Sequence, residues 1–73
     1  MTVEKIEEQI KKGTNILSRW ANCEGINATD ATKELMDSGF GFGLINTLFD
    51  IAVDSEGYAY IIERKLREFL SSF

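Results

Sequence analysis

The 73-residue sequence has no histidine and no proline, a single cysteine and eight basic residues against twelve acidic ones. Each shortage removes a class of chemistry. Without histidine there is no histidine-based triad and no Cys/His zinc site. With Cys23 alone there is no internal disulfide, and a lone thiol fits a reducing compartment. The formal net charge of −4 argues against a generally basic coat for nucleic acid. Long apolar runs are also missing. The longest uncharged stretch, Ser38 to Phe49, is 12 residues, too short to span a bilayer. Residues 1 to 20 carry Glu4, Lys5, Glu7, Glu8, Lys11 and Lys12, so no signal-peptide core is expected. A cytoplasmic location, away from the membrane, is the expectation.

What the chain does have is apolar content. Hydrophobic residues make up 44% of it, enough to expect a folded single domain over residues 1–73 rather than disorder. A chain of this length buries only a modest core, so self-association or a partner would add to its stability.

Apolar spacing predicts about four helices. Val3, Ile6, Ile10, Ile16, Leu17 and Trp20 recur at three- and four-residue steps, giving a first helix over about residues 3 to 23. Thr2 is the expected N-cap and Gly25 the expected C-cap glycine. Glu7 with Lys11 and Glu8 with Lys12 have the spacing of ion pairs one turn apart. Gly13 marks a kink or a close packing contact, and a break of the helix there stays open. Asn27 and Asp30 have the spacing of a capping box, so a second helix starts at Ala28 and stops before Gly39. Residues 44 to 53 and 58 to 73 give two more helices, with Asp54 or Ser55 capping the last. The fold class expected is all-α, a small four-helix bundle.

An α+β alternative, helix-helix-β-hairpin-helix, stays open at this point. Phe49, Ile51 and Val53 alternate, as do Tyr58, Tyr60 and Ile62, around Asp54-Ser55-Glu56-Gly57. In a helix, Tyr58 and Tyr60 cannot share one narrow face, so one of them should be the more exposed.

The least ordinary stretch is Gly39-Phe40-Gly41-Phe42-Gly43. It resembles the aromatic RNA-binding strand of RRM domains over six residues, but Ser38 stands at the basic position and Gly43 at the Val position. The chain also opens with a charged helix rather than a strand. As a phosphate loop it lacks both a preceding strand and a Walker-type lysine. The simpler reading makes the glycines a turn in which Phe40 and Phe42 plug the core ends. The functional reading leaves one Phe exposed as an aromatic anchor for a partner protein.

Charge is unevenly distributed. Residues 1–24 sum to zero, residues 25–57 to −5 and residues 58–73 to +1. Glu34, Asp37, Asp50, Asp54 and Glu56 in the middle segment could face a basic partner surface, steering its approach. Together with Phe40 and Phe42, they are the candidate partner-binding residues. Caps and solubility explain the same acids without any partner. A helix-turn-helix formed by the second and third helices is the rival function. It offers Asn46, Thr47 and Asp50 on the reading helix, with no base. Catalysis has little support: Cys23 has Glu24 as its charged neighbour, and Asp50 with Asp54 alone would make a weak cation site. No catalytic residue, metal or cofactor is expected. The function expected is a non-enzymatic protein-interaction module, a regulator or inhibitor acting by stoichiometric binding. Its expected partner is another protein with a basic surface, or a second copy of the chain, and direct nucleic-acid binding is not expected.

Overall fold

A computed structural model describes residues 3–72 as an all-α bundle. Its helices are α1 (Val3–Ala21), α2 (Ala28–Asp37), α3 (Ile45–Asp54) and α4 (Ala59–Ser71), with one 3-10 turn at Phe42–Leu44 before α3. There is no strand among the described residues, so the hairpin alternative is not adopted. Phe49, Ile51 and Val53 lie in α3, and Tyr60 and Ile62 in α4. The 3.6-residue period extends to Leu48, Leu66 and Phe69, which the alternation leaves unexplained. Thr2 and Phe73 lie outside the described residues.

The helix starting at Ala28 has the expected cap. Asn27 is extended, and its side-chain oxygen accepts from the Asp30 amide at 2.8 Å. The last helix does not have the cap expected for it. Asp54 is the final residue of α3 and Ser55 its C-cap, with the buried Ser55 hydroxyl donating to the Ile51 carbonyl at 2.6 Å. The chain then turns through Glu56 and Gly57, and α4 starts after an extended Tyr58 that makes no side-chain cap.

Three helices stop in the same way. In each, the amide two residues past the cap returns to the carbonyl five residues back, and the preceding amide closes a shorter bond. For α1 these are Glu24 N–H to Arg19 at 2.9 Å and Cys23 N–H to Trp20 at 3.2 Å. For α2 they are Phe40 to Leu35 and Gly39 to Met36, and for α3 Gly57 to Ala52 and Glu56 to Val53. The motif needs a left-handed residue at its pivot. Gly39 supplies it at φ +98°, but Cys23 at 56° and Glu56 at 53° are not glycines. The end of α1 thus differs from expectation: Gly25, although also left-handed, lies beyond the closing bonds.

The core is built around α1, against which α2, α3 and α4 all pack. Leu17, Leu35, Leu48, Ile62 and Leu66 are fully buried there. Gly13 is a close packing contact. A Cβ on it would meet Leu66 Cδ1 at 3.1 Å and Phe40 Cζ at 3.2 Å. Val3, expected on the apolar face, remains exposed. Near the other end of α1, Asn22 Nδ2 donates to the Ser18 carbonyl at 2.7 Å and to the Gly57 carbonyl at 3.0 Å. This ties the α3–α4 turn to the last turn of α1.

Ion pairing departs from the expectation at one position. Lys12 pairs with Glu8 at 3.1 Å, as the spacing suggested. Glu7 instead reaches across to α4, where its carboxylate takes both ends of the Arg67 guanidinium, which also pairs with Glu63 at 3.3 Å. Hydrogen bonding to Arg67 holds the Glu7 carboxyl below its ordinary value of 4.5.

Two predictions follow from these helix ends and this clasp. Left-handed backbone costs an ordinary residue about 1–2 kcal/mol, while glycine adds about 0.5–1 kcal/mol of unfolded-state entropy. Cys23→Gly and Glu56→Gly should therefore each raise stability by about 0.5–1 kcal/mol in urea unfolding, and a loss of stability would contradict the assigned pivots. For the clasp, a carboxyl with a depressed folded pKa stabilises fully above its unfolded value and loses that effect as pH falls through the folded value. Stability should drop through the acid side of about pH 4.5, and Glu7→Gln should flatten that part of the profile. An unchanged pH profile in the variant would show the pair to be without consequence.

Candidate functional site

The glycine-rich stretch separates its two phenylalanines. The left-handed turn at Gly39 sends Phe40 back against Leu35 and over Gly13, where it is only 4% exposed. That is the apolar contact that usually accompanies this helix stop. Phe40 therefore belongs to the core and is not available as a surface contact. Phe42, at the start of the 3-10 turn, is 75% exposed. It does not plug the core. Gly41 and Gly43 on either side are exposed, with nothing within 4 Å of where a Cβ would stand. The result is one aromatic ring on a narrow, uncrowded backbone.

The candidate acids divide between two settings. Glu34 is half-buried and bonded to Arg19 at 3.0 Å, and Asp37 lines the same cleft between α1 and α2 beside Lys11 and Lys12. Arg19 of α1 meets the charge of Glu34 there, while Asp37 makes no ion pair among the described residues. Asp50 and Asp54 are exposed one turn apart on α3, and Glu56 is exposed in the turn that follows. None of these three side chains has an ion-pair or hydrogen-bond partner among the described residues.

Reactive groups are not assembled around any of them. Among the described residues, no three of Asp, Glu, Cys and His come together as a metal site. Cys23 is exposed on a shallow depression lined by Trp20, Ala52, Val53 and Glu56, with no lysine or arginine in its wall. The groups with shifted titration, Glu7 and Arg67, pair with each other in the clasp between α1 and α4. No helix among the described residues is long and apolar enough to cross a membrane.

Some surface features escaped the sequence reading. Tyr58 and Tyr60 are both exposed, at 54% and 71%, with ring centroids 6.0 Å apart. The expectation assumed both to be helical, whereas Tyr58 precedes the helix and is extended, which lets the rings meet. Val53 is 62% exposed near the end of α3. Its spacing suits either face, and the side that α1 and α4 leave open could be found only after folding.

The separation of the two phenylalanines is directly measurable. Phe40→Ala should cost about 3–5 kcal/mol, as expected of a buried ring against close-packed neighbours. Phe42→Ala should change stability by no more than about 0.5 kcal/mol. Equal losses in thermal or urea unfolding would put both rings in the core.

Set beside other proteins, this bundle, with Phe42 exposed and unpaired acids on α3, matches no family model, no curated protein and no solved structure.

Proposed function

We propose that this protein is a non-enzymatic interaction module that acts by stoichiometric occupancy of a partner protein, as a regulator or inhibitor. One observation carries the reading: a phenylalanine held 75% exposed between two open glycines, while its neighbour Phe40 is buried. An exposed large aromatic contributes nothing to the bundle's own core. Seated in a partner's pocket, it would supply the kind of anchor that dominates interface energetics. The unpaired carboxylates of Asp50, Asp54 and Glu56 favour approach to a basic surface.

The helix-turn-helix alternative gains nothing from this geometry. Its reading helix would be α3, whose exposed positions include Asn46, Thr47, Asp50 and Asp54 and which contains no lysine or arginine. Phosphates approaching that face would meet like charge.

The test compares affinity capture by the wild-type protein and by Phe42→Ser from lysate of the source cells, after both are shown to be folded by circular dichroism. Loss of an anchor worth about 2 kcal/mol lowers affinity roughly 30-fold, so specific partners should largely disappear from the variant's capture. Equal recovery with both proteins, or no specific partner with either, would overturn the proposal.

A further inference from the structure

The carboxylates of the bundle differ in what they already hold. Glu7 and Glu63 engage Arg67, Glu8 engages Lys12 and Glu34 engages Arg19. Asp50 and Asp54 engage nothing among the described residues, and the sequence contains no base between Lys33 and Arg64. Negative charge on α3 is therefore left over after the fold has closed its own ion pairs.

That charge lies on a defined ridge. Phe42, Asn46, Asp50 and Asp54 recur at every fourth residue, and all are exposed. On α3, Asn46, Asp50 and Asp54 form such a row, the kind of ridge by which helices interdigitate, about 12 Å long at 1.5 Å per residue. Phe42 stands in the 3-10 turn just before it. The adjoining row runs through Gly43 and Thr47. Gly43, in the 3-10 turn, has no side chain and open space above it, so the approach beside Phe42 is uncrowded. Val53, also exposed, flanks the acidic end. The packing helices α1 and α4 occupy the other side of α3.

A helix laid along this row would meet an aromatic ring at one end, a valine near the other and two unpaired carboxylates. It complements that face if it carries apolar side chains for Phe42 and Val53 and lysine or arginine opposite Asp50 and Asp54. We propose that the outer face of α3, from Phe42 to Asp54, is the docking surface for a basic amphipathic helix of a partner protein. This rests on the interaction reading above and specifies the partner's chemistry. The cleft between α1 and α2 is a poorer match, because Glu34 is already held by Arg19 and the lining also carries Lys11 and Lys12, which would repel a basic helix.

The probe is a synthetic amphipathic peptide of leucine and lysine, with a leucine–glutamate peptide as its opposite-charge counterpart. Each is titrated into isotope-labelled full-length protein while amide resonances are followed. The lysine peptide should bind and shift the amides of residues 42–54, and the glutamate peptide should not bind. Asp50→Asn with Asp54→Asn should weaken binding about tenfold or more, whereas Glu24→Gln with Glu68→Gln, the same change in net charge, should weaken it less than about twofold. Circular dichroism establishes that both double variants stay folded. No binding of the lysine peptide, shifts centred on the α1–α2 cleft, or equal weakening in the two double variants would each overturn the assignment. Capture of native partners separates this inference from the reading beneath it. Partners lost with Phe42→Ser but retained with the Asp50/Asp54 variant would leave the interaction module standing and remove α3 as its docking face.

Discussion

The bundle depends on the missing side chain at Gly13. At that one turn of α1 the backbone is open enough for Leu66 of α4 and the ring of Phe40 to approach within about the distance at which a Cβ would crowd them. The contact joins the first helix, the last helix and the segment between α2 and α3. A glycine inside a helix costs about 1 kcal/mol against alanine, and here that cost accompanies close packing of three parts of the chain. With α1 serving as common partner to the other three helices, a methyl at this point would make the Leu66 and Phe40 side chains give way by a few tenths of an ångström.

The backbone path between α2 and α3 accounts for the different positions of the two phenylalanines. Phe40 is drawn inward because α2 stops on a left-handed glycine and returns the next residue toward Leu35. Phe42 is left outside because the 3-10 turn has already begun to redirect the chain into α3. The separation of an anchored ring from an exposed one is thus a property of the backbone path, and it supports the interaction reading more directly than composition does.

Much of the architecture was legible from residue spacing. The four helices and the start of α2 at Ala28 follow from apolar period and capping residues, whereas spacing leaves Gly13 open between a kink, a break and the close contact the fold makes there. Helix ends were less legible. A left-handed pivot is normally read from glycine, but Cys23 and Glu56 take that role, and local sequence does not announce an ordinary residue in such a conformation. Glu7 was paired by spacing with Lys11, whereas Arg67, sixty residues away, offers both ends of a guanidinium. Spacing puts Tyr58 and Tyr60 on one helix, whereas the helix begins between them. In the candidate site, acidity was visible in the sequence. Which acids are already held and which remain unpaired depends on how α1 and α2 come together.

Asn22 gives the bundle an unusual mechanical connection. One side-chain amide holds both the last turn of α1, through Ser18, and the bend between α3 and α4, through Gly57. Fraying of the first helix and loosening of that distant bend therefore share a latch, although they are separated by 35 positions along the chain. Local opening at either place would release a bond that the same amide holds at the other.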